Sequence, residues 1–215
     1  GKGPIDEVRT VLRSSIDAGW RKPPIRWLML AAPFSMGVGI YAFYAMQPYL
    51  LELYGDPNAY GIAGLAAAIV AGAQIVGGLI VPLVRRLFAR RTQALILASL
   101  LSVVMLVLIG WTSTLWVAIV LLVFCALAFS AATPIRQAYL NGLIPSEQRA
   151  TVLSFDALMG SAGGSVAQPV LGRVADVGGY SASYAVAAAI QVLAVPFLIL
   201  ARREKAPSDA MEATT

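Results

Sequence analysis

The chain has 215 residues and a formal net charge of +5, yet 13% of it is charged and 59% is hydrophobic, where soluble domains carry roughly 25% charged residues. With no histidine and a single cysteine, Cys125, it excludes disulfide frameworks, zinc clusters, Ser-His-Asp triads and histidine proton relays, so no metal site and no cofactor are expected. The basic residues stand in short clusters between apolar runs, which points to a lipid bilayer and away from nucleic acid.

The leading segment, residues 1–24, carries Ile5, Val8, Val11, Leu12 and Ile16 at helical spacing among charged residues. It reads as a cytoplasmic loop with an amphipathic helix on the inner membrane surface. The chain begins Gly-Lys-Gly without methionine, as an internal piece of a longer protein would. Residues 25–201 then hold six apolar stretches, at 25–51, 61–84, 92–111, 115–135, 151–172 and 181–201. Each approaches or exceeds the ~20 residues that carry a helix across a ~30 Å hydrocarbon core. Open strands would leave backbone groups unpaired in lipid, so the fold class expected is an all-α membrane protein with six transmembrane helices. Prolines at 33, 48, 82, 134, 169 and 196 predict kinks. Residues 202–215, ending "EKAPSDAMEATT", read as a disordered tail.

Arginine and lysine alternate from one connection to the next. Arg21, Lys22 and Arg26 precede the first span, "RRLFARR" follows the second, Arg136 and Arg149 flank the fourth connection, and Arg202, Arg203 and Lys205 follow the sixth. The intervening connections carry no such excess, which places both termini in the cytoplasm of a multi-pass protein in the cell's inner membrane. Trp27, Trp111, Trp116, Tyr54, Tyr60 and Tyr180 lie near span ends, as interfacial anchors do.

Small residues recur at four-residue spacing, in Gly64, Ala68 and Gly72 and again in Gly160 and Gly164, and predict close helix crossings. Ser146 is placed to cap the fifth helix, with Glu147 in its first turn. Asp156 then falls ten residues inside that helix, about 15 Å along its axis.

Six helices, a surface helix in front and basic turns after the second and fourth spans resemble the C-terminal half of a major facilitator superfamily transporter. The stretch "PIRQAYLNGLIPSEQRATVLSFDALMGSAGGSVAQPVLGRVADVGGY" is similar to the helix ten to helix eleven region of bacterial drug-efflux-like members. The family's cytoplasmic turn, G-x-L-x-D-R-x-G-R-R, survives only in part in "PLVRRLFARR". Arg90 and Arg91 match its closing basic pair, while Pro82, Arg86 and Ala89 replace its glycine, aspartate and glycine.

The resemblance implies a secondary transporter, or its C-terminal half, moving a small organic molecule by alternating access, with proton-linked efflux as the expected mode. It also implies that an N-terminal six-helix half, or a second copy, closes the substrate cavity. The family's first, second, fourth and fifth helices of this half line that cavity, which makes polar residues there the candidates. Tyr41, Tyr44 and Gln47 step by three along the first span. Their alternative is packing between helices with the hydroxyls hydrogen-bonded. Gln74 offers ligand contact or an interhelical bond, and Thr133, Gln137 and Gln168 complete the set. The third span has only Ser99 and Ser102 as polar interior groups, as the lipid-facing helix that the resemblance implies would, and Gln191 in the sixth is expected to be structural.

Arg136 either snorkels to the interface or turns inward to a carboxylate. Arg136 and Arg149 are equal candidates to partner Asp156. That carboxylate has three open roles: a paired gate or bridge, an unpaired proton carrier, or an attractor of cationic substrate. No chemistry on the substrate is indicated. A six-helix scaffold or assembly protein without transport is the rival function. The membrane domain of an ATP-driven exporter is disfavoured by the short connections and by the lack of a G-x-x-x-x-G-K-[ST] phosphate loop.

Overall fold

The computed structural model describes Arg13 and residues 19–211, and it is helical with no strand among those residues. The amphipathic helix expected around Ile5 to Ile16 lies outside the described residues. Helix α1 (Pro23–Tyr54) opens on two prolines, placed where the amide hydrogens would have no intrahelical acceptor. It ends at Gly55, whose φ of +82° is left-handed and whose N–H donates to the carbonyls of Leu51 and Glu52.

The stretch expected as one span at 61–84 is two helices, α2 (Tyr60–Leu79) and α3 (Val81–Leu87). The cause is Pro82, which has no N–H to donate four residues back and so ends the first helix at the Ile80 junction. Helices α4 (Arg91–Trp111) and α5 (Leu115–Asn141) follow, joined by three residues. Trp111 and Trp116 stand exposed on either side of that turn.

Helix α6 (Arg149–Val192) is preceded by a short 3-10 turn, Ser146–Gln148. The expected Ser146 cap does not form. Its hydroxyl lies against Glu147 Oε1 instead, and the α-helix starts three residues later than expected. Helix α7 (Ala194–Arg203) continues the same run after a break at Leu193.

Five helical stretches among the described residues are long and apolar enough to cross a membrane, the last being the 58 residues from Ser146 to Arg203. Laid straight, that run would reach ~87 Å, about three times a hydrocarbon core. It is folded at Gly179, which has φ +79° and ψ 168°, a conformation that strains any residue with a Cβ. Beyond the bend the chain doubles back: Ser183 Oγ donates to Leu171 O at 2.6 Å, twelve residues away along the sequence. A straight helix would hold those two residues ~18 Å apart.

The tightest crossing joins α1 to α6. A Cβ at Gly163 would collide with the Pro33 backbone, one at Gly37 would come 2.8 Å from the Gly163 carbonyl carbon, and Gly160 and Gly164 sit against Met36 and Ile40. Backbones can approach this closely only over glycine, and in lipid such packing replaces the hydrophobic drive that folds soluble proteins. The second expected small-residue face is a correction. Gly64 and Gly72 meet nothing within 4 Å, and the helix instead packs on α5 through Gly77, whose Cβ would lie 2.9 Å from Leu127 O.

Two buried clusters hold the bundle. One gathers Tyr49, Leu50, Leu106, Ile109, Leu171 and Tyr184; the other gathers Leu28, Met29, Ile135, Tyr139, Leu140 and Val152. Within the first, Tyr49 OH donates to Ile109 O at 2.7 Å and Tyr184 OH to Ala42 O at 3.2 Å.

The tail is not disordered as far as Met211. Asp209 is 3% exposed and accepts hydrogen bonds from Thr92 N at 2.8 Å and Thr92 Oγ1 at 2.9 Å, which caps the start of α4. Arg91 donates to the carbonyls of Ser208 and Ala210, Met211 N to Ala89 O, and Ser208 Oγ to Tyr139 O. The polar composition that suggested disorder is used to satisfy the free end of a helix.

Candidate functional site

Three helices meet at Arg136. It lies on α5 two residues after Pro134, and its guanidinium turns into the bundle instead of snorkelling outward. Nη1 pairs with Asp156 Oδ2 on α6, while Nη2 donates to Asp156 Oδ1 at 2.6 Å and to Leu28 O on α1 at 3.0 Å. The two side chains are 15% and 8% exposed. Asp156 thus has Arg136 as its partner. Arg149 is exposed at the start of α6 and directs its guanidinium to Asn141 O at 3.4 Å. Planar, two-point pairing of guanidinium and carboxylate holds both groups in one orientation. Because the pair also takes up a backbone carbonyl of α1, it ties the three helices at one point.

Arg136 also stands in the wall of a cavity of about 560 Å³ bordered by both buried clusters. Of the candidates from sequence, Tyr44, Gln74, Thr133 and Arg136 line this space together. Tyr44 is 67% exposed and edge-on to Phe43, so its phenol is presented outward from the bundle. The Thr133 hydroxyl donates back to Phe129 O at 3.1 Å, which leaves its oxygen free to act as an acceptor.

Tyr41 does not belong with them. It is 5% exposed and its hydroxyl donates to Ser183 Oγ, which passes its own hydrogen to Leu171 O. It is an internal clamp between α1 and the far arm of α6: the two positions differ by only ~60° around the helix axis, yet Tyr41 falls in the helix contact and Tyr44 on its exposed edge. Gln47, Gln137 and Gln168 are exposed but lie outside the cavity wall.

Ser99 and Ser102 on α4 and Gln191 on α6 also line the cavity and were not among the residues expected there; Gln191 Nε2 donates to Ser99 Oγ at 3.1 Å. The signal was a few polar residues in otherwise apolar stretches, and only their juxtaposition separates it from ordinary helix packing.

The structure is similar to that of the E. coli fucose:proton symporter, with a TM-score of 0.73 and 19% identity over 89% of this chain. The chain spans 45% of that protein's length. No curated protein matches it by sequence. The Major Facilitator Superfamily model matches residues 28–214, which takes in all but the first five residues of α1, every later helix and both members of the charged pair, and the chain is a multi-pass membrane protein belonging to that superfamily.

Proposed function

We propose that the chain is a half-bundle of a secondary active transporter, moving a small organic molecule across the cell's inner membrane by alternating access with proton-linked efflux. The observation that carries this reading is the Arg136–Asp156 ion pair, largely withdrawn from solvent, whose arginine stands in the wall of a cavity also lined by Tyr44, Gln74 and Thr133. Ionisable residues at membrane depth are costly, and they mark substrate or ion paths and the elements that move around them. In this reading the pair is a gate bridge that holds α1, α5 and α6 together in one state and is loosened in the other.

The run from Ser146 to Arg203 crosses the membrane twice in this proposal, which gives six spans. The lysine and arginine bias of alternate connections supports cytoplasmic termini. The face bearing Tyr44 is closed by an N-terminal six-helix half or by a second copy. Proton coupling draws support from the symport named for the E. coli protein, and export from the drug-efflux-like stretch 134–180.

The test is the native gene product containing this segment, reconstituted in liposomes under an imposed proton gradient and offered a panel of uncharged and cationic aromatic compounds. Gradient-dependent flux that falls in Asp156→Asn is expected. No flux of any compound, with both halves present, would favour the scaffold reading.

A further inference from the structure

Helix α2 packs on α5 through its buried side, Ala63, Ala66, Val70, Ala73 and Gly77. Turned away from that contact, Leu65, Ile69, Val76 and Leu79 recur at helical spacing, and Leu83 and Leu87 carry the series through the break at Ile80 into α3. All six are between 41% and 73% exposed, and α3 has no buried residue at all. Large aliphatic side chains on an outward face suit lipid tails, whereas helices that cross closely in a membrane meet over small residues, as α1 and α6 do here.

The stripe ends in charge. Arg85, Arg86 and Arg90 are exposed beside Leu83 and Leu87, and none of the three has a carboxylate at salt-bridge distance, since Arg136–Asp156 is the one such pair among the described residues. Arg91 differs, because its guanidinium is held by the carbonyls of Ser208 and Ala210. Guanidinium groups match phosphate oxygens in a planar fork, and basic clusters directly beyond a transmembrane helix attract anionic lipid. We propose that the outer face of α2 and α3 binds an anionic phospholipid, its acyl chains along Val76, Leu79 and Leu83 and its headgroup drawn to Arg85, Arg86 and Arg90. A zwitterionic headgroup carries its own cation and so gains less from the same cluster. The inference requires only that the chain sit in a membrane, and it stands apart from the transport reading.

The probe is a photoactivatable phosphatidylglycerol, with a phosphatidylcholine of the same chains and label as the zwitterionic match. Each is present at a low fraction in phosphatidylcholine nanodiscs holding the native gene product that contains this segment, and crosslinks are mapped by peptide mass spectrometry. One basic residue at an anionic surface is worth about a fivefold preference, so crosslinking to residues 76–90 is expected to be at least about tenfold stronger with phosphatidylglycerol. Arg85→Gln with Arg86→Gln and Arg90→Gln is expected to bring that ratio below about threefold. Arg202→Gln with Arg203→Gln and Lys205→Gln removes the same charge from another exposed cluster, and is expected to leave the ratio above about fivefold. A second measurement uses the unmodified protein: raising the salt from about 0.01 M to about 1 M shortens the screening length from ~30 Å to ~3 Å and is expected to remove most of the preference.

Equal crosslinking by the two lipids, a preference that survives high salt or the three arginine substitutions, or an equal loss in the 202–205 variant would overturn the inference. No crosslink from either lipid would overturn it as well, because the face would then be covered by protein, either an N-terminal half or a second copy.

Discussion

Replacing Asp156 with asparagine keeps the side chain's size but leaves the Arg136 guanidinium without its counter-charge, in a place where the two side chains are 15% and 8% exposed. Removing one member of a buried, hydrogen-bonded ion pair costs about 3–5 kcal/mol, because the survivor stays desolvated. Asparagine can still accept one hydrogen bond from Arg136, and Leu28 O takes another, so the lower end, about 3 kcal/mol, is expected. For a chain of this size each kcal/mol moves the thermal midpoint by roughly 2–4 °C, so Asp156→Asn should unfold roughly 6–12 °C earlier.

The double variant Arg136→Met with Asp156→Leu removes both charges while filling the space, and should recover most of that loss. Thermal unfolding of the purified protein in detergent, following intrinsic tryptophan fluorescence, measures both. A midpoint for Asp156→Asn within about 2 °C of the parent, or a double variant as unstable as the single, would refute the claim that the two charges depend on each other. A stable double variant that has lost flux would separate a gate from a purely structural bridge.

Asp209→Ala should destabilise by about 1 kcal/mol through loss of the α4 cap, and should expose the segment after Arg203 to trypsin faster than in the parent; equal cleavage rates would count against the docked tail. Gly163→Val should prevent folded expression because the Pro33 backbone has no room to yield, whereas Gly64→Ala should be accepted without loss. Comparable damage from both, by size-exclusion profile, would contradict the assigned crossing. Tyr41→Phe should cost about 1 kcal/mol by leaving Ser183 without its donor, while Tyr44→Phe should leave the thermal midpoint unchanged and affect flux alone. The opposite order would return Tyr41 to the cavity.

The architecture was legible because membrane helices announce themselves by length and hydropathy, and the pairing of Arg136 with Asp156 was one of two readings the spacing allowed. The faces were harder to read. A helix such as α1 is apolar nearly all round, so periodicity does not say which side packs on its neighbours and which faces the cavity. That is why Tyr41 and Tyr44 were grouped although one is 5% and the other 67% exposed. The choice between Arg149 and Arg136 rested on distance across a connection, which only the folded chain supplies. The tail misled for a different reason: its order comes from polar contacts to the end of another helix, and composition reports only what a segment can bury. Pro82 was visible, but whether a proline kinks a helix or ends it depends on what the freed carbonyl meets.

The atoms of residue 33 that a Cβ at 163 would meet are backbone, which every residue type carries. Exchanging the side chain at 33 therefore does not relax the demand at 163. Homologous chains should keep glycine at 163 wherever α1 and α6 cross this closely, and a side chain there would mark chains in which the two helices stand further apart.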